Sequence, residues 1–321
     1  MDFMDLYYFR EAAKDLHFTK TAERLFISQQ NLSNHIKRLE EAYEVTLFTR
    51  KPKVSLTYAG ERMLLYANRM LTQEADIRNE MNDIRGNRRG ELVVGASTPR
   101  LHVILPEILP VFTKEFPDIK IRTMDAYAYE LEQAVLDNVA DIAFAPIISP
   151  NANLILEEMH LDNIYIVCSD RLLYRFYGPE SLKLKASCVG GCTVERLSRL
   201  PFIVPGSNNR LSVAFTRCFE TLGITPNILM ETAFPLFYFP LFSDGTAAGF
   251  LTLTSLYEGL STVKQPVNYF PVLHEEKPLY HTIYAIQNRH RYQPSDVKRF
   301  KELAKNYFME IERMRVSFIG E

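Results

Sequence analysis

At 321 residues, with 47% hydrophobic and 24% charged residues, the chain has the composition of a globular protein with room for two or three cores. Its net charge of −2 supplies no overall pull toward nucleic acid. No apolar run approaches the roughly 18–20 residues needed to span a bilayer. The acidic start MDFMDLYYFREAAK lacks a positive n-region and a small-residue cleavage site, so a cytoplasmic chain with no membrane partner is expected.

Leu6 to Leu16 reads as a first helix, with Leu6, Phe9, Ala12, Ala13 and Leu16 facing inward. Thr19 to Phe26 is a second short unit whose apolar residues are Ala22, Leu25 and Phe26. Ser28 then stands where an N-cap is needed, because its hydroxyl can accept an orphan amide of the next turn. In the third helix Leu32, Ile36, Leu39 and Tyr43 form one apolar stripe. Asn31, Asn34, His35 and Arg38 recur on the opposite side. A helix that buries one face and offers amides, an imidazole and a guanidinium on the other is built to touch something polar and patterned. Helix, tight turn and helix with such a face is the layout of a helix-turn-helix DNA reader; a solvated surface is the plainer alternative.

Val45 to Leu56, rich in β-branched and aromatic residues, reads as a two-stranded ribbon. Its tip, Arg50-Lys51-Pro52-Lys53, is a basic turn placed to grip phosphates or the minor groove, as a wing does. From Gln29 to Lys53 there are five basic and three acidic residues, a weak footprint. A monomer so lightly charged binds DNA poorly, and a dimer that doubles the contacts is the usual remedy. Thr57 to Arg85 is predicted as one long helix. Met63, Met70, Ile77 and Ile84 repeat every seven residues along it, a partner-helix signature, although packing on the chain's own domain stays open. Gly86 and Gly90 end it in a hinge.

Beyond Gly90 strands and helices alternate. Strands are predicted at Leu92–Ala96, Ile119–Thr123 and Asp141–Ala145, with helices at Pro106–Phe116 and Tyr129–Asn138. A second unit has strands at Ile164–Cys168, Phe202–Val204, Asn227–Met230 and Gly249–Leu253, and a helix at Leu211–Leu222 closed by Gly223. Strands Asn268–Val272 and Leu279–Ile286 precede a helix from Ser295 to Arg313. Alternation of this kind implies parallel, doubly wound sheets in two lobes around a cleft.

The chain resembles a LysR-type transcriptional regulator over essentially its full length. The resemblance rests on YYFREAAKDLHFTKTAERLFISQQNLSNHIKRLEEAYEVTLFTR, on SLTYAGE before the long helix, and on LVVGAS opening the cleft domain. It implies an α/β protein with an N-terminal winged helix-turn-helix (1–58), a dimerisation helix and hinge (59–90), and a two-lobed domain similar to periplasmic binding proteins (91–321). Lobe 1 is expected at about 91–162 and 267–321, and lobe 2 at about 163–266. The implied partners are double-stranded DNA, further copies of the chain as a homodimer or homotetramer, an unidentified small-molecule effector and RNA polymerase.

Carried over by position, DNA contacts fall on Gln29, Gln30, Asn31, Ser33, Asn34, His35, Lys37, Arg38, Arg50, Lys51 and Lys53, and dimer contacts on Met63, Met70, Ile77 and Ile84. The family's proline or alanine after its Ser-Gln pair is replaced by Gln30-Asn31, and its Ser-Arg-Gln by Ser33-Asn34-His35. Because Asn and Gln suit adenine where Arg suits guanine, a bias toward A·T is expected at bases read by Gln30, Asn31 and Asn34. In the cleft, Ser97 and Thr98 match the family's hydroxyl pair, and Ser207 and Asn208 the facing position. Ala128 and Pro146 stand where aromatic-acid-responsive members place a hydroxyl and an arginine. A carboxylate held by arginine is therefore not expected, while an apolar or aromatic ligand touching Phe234 stays open, as does a cleft with no ligand.

Four cysteines do not make a secreted disulfide framework. Cys188 and Cys192 could chelate a metal or form a redox pair, but no second Cys or His pair has zinc-site spacing. No metal and no cofactor is expected. Cys218 matches one position of the peroxide-sensing members, but its partner position is Asn209, so peroxide sensing is not expected. The rival reading is a cytoplasmic solute-binding protein, which leaves the first 60 residues without a role. No Walker loop, G-x-S-x-G or HExxH supports an enzyme.

Overall fold

The computed structural model describes residues 2–49, 53–85, 90–147, 150–206, 209–232, 238–260 and 266–318. It has two compact units, one of residues 1–87 with 290–294 and one of residues 88–289 with 295–321.

In the first unit, α1 (Phe3–Asp15) is followed by α2 (Phe18–Arg24) and α3 (Gln29–Tyr43). The side chains of Asp2 and Asp5 accept each other's backbone amides, at 2.8 and 2.9 Å, and close the start of α1. Ser28 caps α3 as expected, accepting the Asn31 amide at 3.1 Å. Leu6, Phe9, Ala12, Ala22, Leu32, Ile36 and Leu39 form a core that Leu47 and Phe48 complete from the ribbon.

Three residues expected inside lie outside: Leu16 is 41% exposed, Phe26 95% and Tyr43 43%. Leu16 and Phe26 have positive φ, +47° and +54°, where the chain turns after α1 and between α2 and α3. The left-handed turn swings the side chain off the helical stripe that periodicity assigns it. Tyr43 is the last residue of α3, and its side chain meets Tyr66 of the long helix that follows the ribbon.

The ribbon pairs β1 (Phe48–Thr49) with β2 (Ser55–Leu56) in antiparallel register. Thr57 caps the long α4 (Tyr58–Ile84) by accepting the Gly60 amide at 3.0 Å. Gly60 lets that helix lie on the ribbon: a Cβ there would sit 2.1 Å from the Leu47 carbonyl oxygen. The expected heptad is not one surface. Met63 is buried and Met70 half-buried against the unit's own core, whereas Ile77 is 51% and Ile84 71% exposed. Ala67 is the last buried residue of α4, so beyond it the helix runs past the core of this unit.

The second unit runs β3 (Gly90–Ala96), α5 (Thr98–Glu115), β4 (Ile119–Asp125), α6 (Ala128–Leu136), β5 (Ile142–Ala145) and β6 (Leu154–Cys168). It continues through α7 (Asp170–Tyr177), α8 (Ser181–Cys188), β7 (Cys192–Thr193), β8 (Pro201–Pro205), α9 (Arg210–Glu220), β9 (Asn227–Thr232), α10 (Phe239–Ser243) and β10 (Ala248–Thr252). It closes with α11 (Leu253–Leu260), β11 (Asn268–His274), β12 (Lys277–Pro278), β13 (Tyr280–Asn288) and α12 (Ser295–Phe318).

Strands β4, β3 and β5 are parallel in lobe 1, and β9, β8 and β10 in lobe 2. The sheet is nevertheless mixed rather than wholly parallel, because β6 runs antiparallel to β13, β10 and β11. Residues 154–163 run along β13, with Met159 at a register shift, and the rest pair with β10 and β11, so the changeover between lobes falls at Asn163–Ile164. Lobe 2 also extends past the expected limit of 266, since β11 pairs with the end of β6 and with β7.

Helix α5 starts two turns before the expected Pro106. Pro99 occupies its first turn, while Pro106 and Pro110 lie inside it. Each proline removes one helical hydrogen bond, but Leu101, Val103, Ile104, Ile108 and Phe112 are buried along the helix and hold it in place.

Candidate functional site

On α3 the apolar stripe is sealed into the core, so the opposite face is the one left for a partner. Gln29, Gln30, Asn31, Asn34, Lys37 and Arg38 are exposed and Ser33 half-buried. Lys37 pairs with Glu41 one turn on at 3.2 Å, an exposed pair of small energetic value. Gln29 accepts from the Thr19 hydroxyl at 3.2 Å, which ties α3 to α2.

His35 departs from expectation. Its ring is only 12% exposed, and Nδ1 lies 2.8 Å from Asp5 Oδ1 on α1. The Asp5 carboxyl is 1% exposed, yet it is held below its ordinary pKa. Burial alone raises it, and this is outweighed by His35, the Asp2 amide and Arg38. His35 is thus fastened to α1 through Nδ1. Lys53 is exposed on the wing; Arg50 and Lys51 lie outside the described residues.

The second unit has a cavity of about 300 Å³ between its lobes. Ser97, Thr98, Ala128 and Pro146, the four expected positions that are described, all line it. Ser207, Asn208 and Phe234 lie outside the described residues. Ser97 and Thr98 open α5, and Asn209 and Arg210 open α9, so two helix N-termini meet at the cavity. The positive dipole end favours an anion at each; no side chain caps the start of α5, whereas at α9 Asn209 Oδ1 accepts the Leu211 amide at 2.9 Å.

Two arginines line the cavity where none was anticipated. Arg100 is 7% exposed. It donates to Ser97 Oγ and the Phe144 carbonyl, each at 3.2 Å, and to Asp162 Oδ2 at 3.2 Å. Its Nε has no hydrogen-bond partner among the described residues. Asp162 is fully buried on β6, and its other oxygen accepts the Thr254 amide of α11 at 2.9 Å. It is held below the carboxylate range against the cost of burial by His160, Arg100, the Thr254 amide and His281. Arg100 is therefore neutralised from behind. Arg210 donates to the Ile147 carbonyl, and no carboxylate pairs with it among the described residues.

The hydroxyls divide their roles. Ser97 accepts from Arg100 and keeps its own proton to donate, whereas Thr98 spends its proton on Asp125. Burial pushes His281 down to about 4, despite the attraction of Asp162, so it faces the cavity as a neutral imidazole. Two signals were available for the missed residues. Arg100 lies one helical turn beyond Ser97, and Arg210 is the first residue of its helix.

Cys188 and Cys192 are buried with sulfurs 2.7 Å apart. Their hydrogen bond lowers the Cys188 thiol to about 7 and raises that of Cys192. Among the described residues no cluster of His, Cys, Asp or Glu could hold a metal ion. Burial pushes Cys218 up to about 11.

A winged helix-turn-helix and a long helix, followed in the chain by a two-lobed cleft domain, are the architecture of a DNA-binding regulator. Residues 3–61 match the bacterial regulatory helix-turn-helix protein, lysR family, and residues 85–309 match the LysR substrate binding domain. The chain belongs to the LysR family of transcriptional regulators. It is 29% identical over 226 residues to a probable RuBisCO transcriptional regulator of Trieres chinensis, covering 68% of this chain and 70% of that one. It is 33% identical over 146 residues to the transcriptional activator IlvY of Salmonella typhimurium, covering 45% of this chain and 50% of that one.

The fold is that of full-length CbnR complexed with its target DNA, with a TM-score of 0.60 at 18% identity over 96% of this chain and all of that one. A full-length OxyR cysteine variant from Pseudomonas aeruginosa gives 0.67 at 17% identity, covering 96% and 94%. No described helix is long and apolar enough to cross a membrane.

Proposed function

We propose that this regulator reads duplex DNA with Gln30, Asn31, Asn34 and Arg38, anchors on phosphates through Lys37 and the wing around Lys53, and responds to a small anion in the cleft. It works in the cytoplasm with no cofactor and no reaction of its own. Arg50 and Lys51 complete the basic wing on sequence grounds. The exposed Ile77 and Ile84, with Leu65 and Met81 on the same helix, supply the dimer contact. RNA polymerase is the downstream partner that family membership implies.

The observation that carries the effector reading is the convergence of two helix N-termini with Arg210 on one small cavity. A cation without a paired carboxylate, facing the same cavity as the uncapped start of α5, fits a carboxylate of metabolite size. Pro146 lacks the arginine that related cleft positions carry, but Arg210 brings the charge from the opposite wall.

A thermal-shift comparison of small carboxylates with their uncharged amides tests this. A ligand that binds only the native state raises its melting temperature. Carboxylates should raise it, their amides should not, and Arg210→Gln should abolish the shift. Stabilisation by the amides alone would overturn the anion reading. For DNA, Asn34→Ala should cost about 1–3 kcal/mol at one base step, whereas Lys53→Ala should weaken all duplexes alike.

A further inference from the structure

His35 Nδ1 lies 2.8 Å from Asp5 Oδ1 and also 2.9 Å from Arg38 Nη2. One ring nitrogen cannot donate to the carboxylate and accept from the guanidinium together. Asp5 is 1% exposed, and a carboxylate so deeply desolvated demands the proton on Nδ1. Arg38 Nη2 is then left facing a donor, with only a long approach of 3.5 Å to the other ring nitrogen. Its Nε keeps a 3.4 Å contact to the same Asp5 oxygen, while the side chain stays half exposed. Tyr8, with its ring 4.4 Å from the imidazole, closes the other side.

We propose that Asp5, a residue of α1 outside the recognition helix, is a positioning residue for DNA reading: it locks His35 through Nδ1 and anchors Arg38 at Nε, which holds the Nε–Nη2 edge of the guanidinium against the ring and leaves Nη1 as the nitrogen offered to DNA. Without the Asp5 charge the Nε anchor is lost, and the guanidinium is no longer held in this orientation. The chemical partner is a phosphate or a guanine edge, both of which take a guanidinium fork. This rests on the reading that the exposed face of α3 carries the DNA contacts.

The test is a double-mutant cycle in the full chain, with affinity measured on the duplex that the wild-type protein enriches most from a random library. Asp5→Asn and Arg38→Gln should each weaken binding about tenfold, the scale of one lost base or phosphate contact. Together they should cost no more than about twofold beyond either alone, because both remove the same contact. Each single change should also reduce the slope of log affinity against log salt by about one if the contact is a phosphate. Asp5→Ser, which removes the same charge, replaces Asp5→Asn should that variant melt near the assay temperature.

Additive losses would show that Asp5 acts only on folding and would overturn the proposal. So would wild-type affinity in Asp5→Asn alongside a loss in Arg38→Gln. If Asn34→Ala and Arg38→Gln both bind like wild type, the α3 reading itself fails, a result distinct from failure of the positioning role.

Discussion

Replacing Asp162 by Asn tests the electrostatic frame of the cleft. Asp162 is fully buried and takes one hydrogen bond from Arg100 at 3.2 Å and one from the Thr254 amide at 2.9 Å. The amide keeps the shape but turns one acceptor into a donor and strands a guanidinium that is 8% exposed. Removing one partner of a buried ion pair costs about 3–5 kcal/mol, chiefly the price of an uncompensated charge. For a unit of this size that is roughly 6–20 °C of melting temperature.

Arg100→Met alone should cost a similar amount, whereas Arg100→Met with Asp162→Leu should recover most of it, since an apolar pair leaves no stranded charge. The chain has no tryptophan, so far-ultraviolet circular dichroism is the suitable probe of unfolding. The folded carboxyl titrates below its ordinary value of 3.8, so its stabilisation is complete above that pH and is lost as pH falls through the folded value. The gap between wild type and Asp162→Asn should therefore narrow in acid. A loss under about 1 kcal/mol at neutral pH, or a double variant worse than either single, would refute the reasoning.

Leu32→Ala removes a fully buried side chain from the helix-turn-helix core and should cost about 3–5 kcal/mol in urea unfolding, with DNA affinity falling only as the fold is lost. Gly60→Ala drives a Cβ to 2.1 Å from the Leu47 carbonyl, a backbone group that cannot swing aside. It should lower the melting temperature and weaken all duplexes alike by shifting the wing. His281 titrates near 4 in the fold against 6.5 when free. The unfolded chain therefore takes up the proton first, and stability falls as pH drops from about 6.5 to about 4. His281→Gln should flatten that part of the profile, and an unchanged slope would exclude it as the source.

Where the governing interactions were local, the elements could be read directly. The Leu32–Ile36–Leu39 stripe, the Ser28 cap and the short basic ribbon each depend on residues a few positions apart, so their spacing carries the answer. The same logic failed where the chain turns. Phe26 fits a helical stripe by count, but its left-handed backbone points it outward. Heptad counting likewise treated Met63 and Ile84 as equivalent, while the core of the unit reaches only the first part of the helix.

By itself the sequence determined a regulator of this family, its amphipathic reader and the Ser97–Thr98 wall of the cleft, because these follow from periodicity, capping and contiguous motifs. Only the tertiary structure decided which charges act together. Asp5 meets His35 and Arg38 across about 30 residues of chain, and Arg100 meets Asp162 across 62, through burial that no local pattern encodes. Burial sets the energetic weight of each pair, since a charge removed from water must find its partner in the fold. That is why the pairing of Arg100 and the carboxylate behind α3 became visible only in three dimensions.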